Sequence, residues 1–134
     1  VTIELGGVEV ARTTQAWRVL ETSHPPTYYL PRSAFVAGAL REAVGASWCE
    51  WKGQASYLDV LAGDRVAERA AWTYLDPAPG FAPIAGAIAV LAAAMDRCTV
   101  DGETVVPQPG GFYGGWITST VVGPFKGIPG SAGW

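Results

Sequence analysis

Lysine and histidine are scarce in this sequence: Lys52 and Lys126 are its two lysines and His24 its single histidine. Nine basic residues stand against twelve acidic ones, a formal net charge of -3, and they are scattered along the chain. Without a basic stripe nothing tracks a run of phosphates, so no nucleic-acid partner is expected. Cysteine is nearly absent too. Cys49 and Cys98 belong to no C-x-x-C pair, and with one histidine they are too few for a structural zinc site, so neither a metal nor another cofactor is expected. A chain this apolar needs no disulfide to stay folded, and both thiols read as reduced in a cytoplasmic protein.

Long hydrophobic runs are missing as well. The longest, Ile84 to Met95, is about half of what crosses a bilayer, and the N-terminus has no charged segment followed by an apolar one. No membrane span or export signal is expected, and a leader removed ahead of Val1 stays open. Charged residues make up only 16% of the chain and hydrophobic residues 49%. That balance is the reverse of the disordered signature. With 134 residues, the chain reads as a single domain able to bury one sizeable core.

What is present is a series of strand and turn signals. Val1 to Ala11 alternates apolar and polar residues on either side of Gly6-Gly7, the pattern of a hairpin. Trp17 to Glu21 and Thr27 to Leu30 suggest a second hairpin across the turn-forming Ser23-His24-Pro25-Pro26. Ser33 is placed to cap a helix from Ala34 to about Val44, with Phe35, Val36, Leu40 and Val44 recurring near one face. Strands are then expected over Ser47 to Trp51, Ala55 to Leu61 and Arg65 to Tyr74, the last two joined at Gly63-Asp64. After Asp76-Pro77-Ala78-Pro79-Gly80, the segment from about Ala82 to Asp96 reads as a second helix, apolar almost all round and so packed on more than one side. Arg97 to Val100 and Glu103 to Val106 flank Asp101-Gly102, a further hairpin. From Pro107 to Trp134 the chain is glycine-rich yet carries Phe112, Tyr113, Trp116, Phe125 and Trp134, so it is expected as an ordered extension laid on the body, since a free linker would not keep such rings in water.

Several strings recur in one order: Leu20-Glu21-Thr22 leading to Tyr28-Tyr29-Leu30-Pro31-Arg32, then Cys49-Glu50-Trp51-Lys52-Gly53-Gln54-Ala55-Ser56-Tyr57, then Ala70-Ala71-Trp72-Thr73-Tyr74 and Asp76-Pro77. This series resembles the Domain of Unknown Function 427 family over residues 1–106, with 107–134 similar to an extension carried by some members. The resemblance implies an α+β, mostly β fold: an Mss4-like β-tent of antiparallel sheets with a cleft between them and, from the pattern above, two packed helices. Several relatives of that architecture carry zinc on two C-x-x-C pairs that this chain lacks, so the fold transfers without the metal. The family's label implies a nucleotidyltransferase-like activity.

Candidate chemistry concentrates in Cys49-Glu50-Trp51-Lys52-Gly53. A cation beside a thiol favours the thiolate, so Lys52 or Arg32 near Cys49 would activate it, with Cys98 inert beside the second helix. In a straight strand Cys49 and Lys52 take opposite faces, and they meet one ligand only if the strand bends or ends at Gly53. The bland alternative is a buried cysteine and a surface lysine. Glu21, at a strand end before a proline turn, suits a general base or an ion pair with Arg18 or Arg32. His24 reads as a solvated turn residue. Tyr29, Arg32, Tyr57, Trp72 and Trp116 are the residues expected to wall a pocket for a flat small molecule, the alternative being that most of the rings are core.

No phosphate-binding glycine pattern follows a strand: Gly110 to Gly115 sets aromatic rings where a cradle needs bare backbone. The first reading is therefore an uncharacterised small-molecule-binding domain, with catalysis by Cys49, Lys52 and Glu21 left open. The second is a module that uses its aromatic tail to bind a protein partner or a copy of itself as a homodimer. Nucleotidyl transfer is the third.

Overall fold

A computed structural model describes residues 1–19, 26–49, 53–77, 79–107 and 115–118, with the backbone alone described for 44–49 and 53. Among the described residues the strands form two larger antiparallel sheets and one short ribbon. The first sheet begins with the hairpin β1 (Thr2–Leu5) and β2 (Val8–Arg12). Its turn residues Gly6 and Gly7 have φ of 60° and 77°, the left-handed pair that a tight hairpin requires and that glycine adopts freely. A Cβ on Gly6 would sit 2.8 Å from Cγ of Arg65, so the turn is also a close approach. The Gly7 N–H donates to Oδ2 of Asp96 at 3.0 Å, which ties this hairpin to the segment ahead of the last one.

The larger sheet is laid down as β3 (Trp17–Val19), β4 (Thr27–Leu30), β5 (Leu40–Cys49), β6 (Gly53–Ala62), β7 (Arg65–Thr73) and β8 (Ile88–Val90). In space the order is β3-β4-β8-β7-β6-β5. Strands β9 (Arg97–Val100) and β10 (Glu103–Thr104) return to the smaller sheet, ordered β10-β9-β1-β2, and β11 (Val106–Pro107) pairs with β12 (Trp116–Ile117) as the ribbon. The expected hairpin turns at Gly63-Asp64 and Asp101-Gly102 lie where the sequence placed them.

One apolar cluster draws on both larger sheets: Ile3, Leu5, Val10 and Cys98 from the smaller, Leu30, Leu58, Val60, Ile88 and Val90 from the larger. Each fully buried aliphatic chain contributes roughly 1.5–3 kcal/mol, so this inter-sheet layer dominates cohesion. A second, smaller cluster lies on the other face of the six-stranded sheet, around Tyr29, Tyr74, Ile84 and Ala89.

Neither expected helix forms. Among the described residues the helical segments are three short 3-10 turns, Arg32–Ala34, Pro79–Ile84 and Ala92–Ala94, and no α-helix. Ser33 makes no cap: Pro31 precedes the first turn, without a side-chain cap hydrogen bond. In place of a helix over 34–44, Phe35 bridges Ala11 of β2, Gly38 turns the chain at φ 79°, and β5 starts at Leu40 opposite Val60. Sheet pairing and an Arg41–Asp59 ion pair outweigh the helix propensity of ALREA, a preference of tenths of a kcal/mol per residue. The second expected helix is broken by Pro83 and by Gly86 at φ 74°. Its apolar run supplies β8, whose three residues are all buried between β4 and β7. A strand covered on both faces is as uniformly apolar as a buried helix, so periodicity alone does not separate them. Cys98 accordingly packs on β9 opposite Ile3, with no helix beside it. No helix among the described residues is long and apolar enough to cross a membrane.

Candidate functional site

Four side-chain pairings line up across the six-stranded sheet. Trp17 lies opposite Tyr29, Tyr29 opposite Ala89, Ala89 opposite Trp72, and Trp72 opposite Tyr57. Directly opposed residues share a face, and this one is the face turned away from the inter-sheet core, since Tyr28, Leu30, Ile88, Val90, Ala71 and Leu58 alternate with it and pack inward. Ala89 is the small member of the row. Over it the two flanking rings meet, with the Trp72 Nε1–H donating to Oη of Tyr29 at 3.2 Å. Strands stand about 4.8 Å apart, so only large side chains from β4 and β7 can close over β8.

The row grades from buried to open. Tyr29 is 1% exposed, packed against Tyr74 at 6.4 Å between ring centroids and beside Ile84 of the 3-10 turn. Trp72 and Tyr57 are half-buried, and Trp17 at the far edge is 50% exposed. Aromatic surface is therefore accessible at both ends of the row, and two such rings lie directly opposite each other at the Trp72–Tyr57 end, where β7 leaves regular pairing.

That departure is a bulge. Between Leu58 and Val60 the register of β6 and β7 shifts, so Asp59 faces three residues of β7. Arg69 sits there at φ 52°, a left-handed conformation that costs a non-glycine residue roughly 1 kcal/mol or more. Asp59 holds it. Its Oδ1 accepts the Arg69 N–H at 2.8 Å, and its Oδ2 accepts Nε and Nη2 of Arg41 at 3.0 and 2.7 Å. The Arg69 N–H, and after it the Arg41 guanidinium, hold the Asp59 carboxyl below its usual range. With its amide fixed, Arg69 turns its guanidinium over the Tyr57 ring, 4.6 Å from the centroid. Among the described residues no carboxylate pairs with that guanidinium. A bulge of this kind re-aims a side chain, and what it presents here is a cation on an aromatic ring beside a second ring.

Of the residues the sequence singled out, Tyr29, Trp72 and Tyr57 come together in this row. Arg32 is exposed on the 3-10 turn after β4. Trp116 lies on the opposite face: it is fully buried in the inter-sheet core, stacks on Tyr28 at 5.2 Å, and donates its Nε1–H to the carbonyl of Val90 at 3.1 Å. Its ring is thus committed to the core of its own chain. The space expected as a cleft between the two larger sheets is occupied by that core among the described residues.

Cys49 ends β5 opposite Gly53, its side chain outside the description, and Glu21, His24 and Lys52 lie outside the described residues. Relative to the aromatic row, Val19 and Thr27 lie toward one end of the sheet and Cys49 and Gly53 toward the other. Cys98 is a free thiol, and burial pushes it up to about 12. Among the described residues no group of three His, Cys, Asp or Glu side chains could hold a metal.

Sequence reasoning missed Asp59, Arg41 and Arg69. One signal was available: Asp59 interrupts the otherwise apolar run Tyr57 to Leu61 in a segment read as a strand, and a carboxylate buried in such a run needs partners.

Comparison with curated proteins gives no match. The family model described as Domain of unknown function (DUF427) matches residues 1–101, from β1 through β9. Trp116 and the ribbon strand that carries it lie beyond the matched span. With three quarters of its length inside that match, the chain belongs to the DUF427 family.

Proposed function

We propose that this chain binds a small planar molecule on the outer face of its six-stranded sheet, at Trp72 and Tyr57. The observation that carries the reading is the juxtaposition of two half-buried rings, directly opposite on neighbouring strands, with a guanidinium held over one of them by a bulge. Flat ligands gain from ring stacking and from apolar area removed from water, and a few fixed polar groups at the rim orient them. Tyr29 supports the site from the side, since its hydroxyl accepts the Trp72 indole N–H and so fixes the tilt of that ring. The test is an NMR titration that follows the Trp72 indole N–H, assigned by comparison with Trp72→Phe, against indole, benzamide and adenosine. Binding of at least one probe should shift that resonance, and Tyr57→Ser should weaken the same binding. If every probe leaves the Trp72 resonance in place, the planar-ligand reading fails.

Whether the domain is also an enzyme turns on Cys49, with Lys52 and Glu21 as its proposed helpers. The expected result is that a small alkylating reagent labels Cys49 well ahead of Cys98, because Cys98 is buried and its thiol is pushed up to about 12, leaving almost no thiolate at neutral pH. Lys52→Met should then slow the labelling of Cys49 without loss of folding. Equal labelling rates for the two thiols, read by intact mass, would remove Cys49 as an activated nucleophile.

A further inference from the structure

We infer that the ligand of the Trp72–Tyr57 surface is a planar carboxylate, its acid group bound by Arg69; this rests on the planar-ligand reading and names its chemical class. Three observations carry it. First, the Arg69 guanidinium is exposed and lies over the Tyr57 ring, and among the described residues no acidic side chain makes an ion pair with it. An arginine with no acidic partner beside rings keeps its planar fork of N–H donors available to an incoming anion, and that fork matches a carboxylate with two parallel hydrogen bonds.

Second, the backbone that aims this arginine is strained and specifically supported. At φ 52° Arg69 occupies a conformation glycine would adopt more easily, and both oxygens of Asp59 are engaged in holding it and Arg41. Asp59 is the positioning residue: it pairs directly with Arg41 and fixes the main chain of Arg69 through the N–H, while its carboxylate makes no direct ion pair with the Arg69 guanidinium.

Third, the local charge favours a single negative charge over two. Arg41 and Arg69 are offset by Asp59 and flanked by the exposed Glu42 and Glu68, in a chain whose net charge is -3. A phosphate dianion would meet that field at a disadvantage, whereas a carboxylate asks for one cation and good geometry.

The experiment compares matched acids and amides, which share shape and differ in charge: benzoate with benzamide, and indole-3-acetate with indole-3-acetamide, titrated into the full chain by NMR. Adenosine monophosphate and adenosine form a third pair. The acids should bind about tenfold or more tightly than the amides. Arg69→Met, which keeps the apolar stem on Tyr57, should level each pair, and Arg69→Lys should retain only part of the preference because it lacks the fork. Acid and amide binding equally well would overturn the carboxylate assignment and leave the planar-ligand reading standing. A preference confined to the monophosphate over adenosine would overturn it in favour of a phosphate ester. A preference for the acids that survives Arg69→Met would take Arg69 out of the site. Failure of all six compounds to shift the Trp72 resonance would sink both readings together.

Discussion

Trp116→Ala is expected to destabilise the domain by about 3–5 kcal/mol, the usual range for removing a fully buried large aromatic. The side chain is 0% exposed, packs in the inter-sheet cluster and donates to the Val90 carbonyl. Truncation therefore creates a large cavity and leaves that carbonyl without its donor. Urea denaturation followed by circular dichroism gives the comparison, the midpoint falling with little change in slope. A loss below about 1 kcal/mol would be that of a surface residue and would contradict the burial. The same argument extends to chain truncation after Pro107, which removes the ring together with the Trp116 N–H bond to the Pro26 carbonyl. Deleting the aromatic tail to test self-association would thus also remove part of the core, and a change in oligomeric state after that deletion has to be read against a loss of folding. Trp116→Phe, which keeps much of the packing and loses the N–H donor, separates the two.

Asp59→Ala carries the second large effect, on stability and binding together. The substitution leaves the Arg69 N–H without its acceptor inside a bulge and frees the Arg41 guanidinium. The melting temperature should drop by several degrees, and binding of any acid at Arg69 should fall with it, since the strained φ is no longer held. The pH dependence follows from the direction of the shift. The carboxyl of folded Asp59 lies below the ordinary 3.8, so its ionised form stabilises the fold above that pH, and the contribution is lost as pH falls through the lower, folded value. The gap in melting temperature between the parent chain and Asp59→Asn should accordingly be full at neutral pH and narrow progressively below 3.8. A gap that stays constant on acidification would show that the carboxylate charge is not what holds the bulge.

Local chemistry made much of the fold legible. The hairpin turns Gly6-Gly7 and Asp101-Gly102 require left-handed backbone, and the residues that supply it stand at those positions. The aromatic and branched stretches around Tyr29, Tyr57 and Trp72 read as strands and are strands. Legibility failed where a segment's state is decided by what it packs against. Ile88-Ala89-Val90 is a strand because β4 and β7 lie on either side of it, and Leu40-Arg41-Glu42 is a strand because β6 offers Val60, Asp59 and Leu58 as partners. Neither fact is written in the segment itself. The aromatic part of the candidate site was legible residue by residue, whereas its polar part was not. Asp59 and Arg69 meet through a shift in strand register, and register is a property of the pair of strands. Trp116 was expected on the site and lies on the opposite face, because a ring counted from sequence carries no information about which side of a sheet it will serve.

The spatial order of the six-stranded sheet also dictates an order of events. Strands β5, β6 and β7 form a meander of neighbours in sequence, a unit that can close as soon as its turns are made. β3 and β4 are emitted before it, yet β4 reaches the sheet only through β8, which is synthesised after it. During translation the N-terminal pair must therefore wait, its Tyr29 edge unpaired, until residue 90 has cleared the ribosome. Completion of the core waits longer still, for Trp116. Non-local closure of this sort is slow and leaves strand edges open to misassociation in the interval. Refolding experiments on this chain should therefore be run dilute, and expression at lowered temperature should raise the soluble yield.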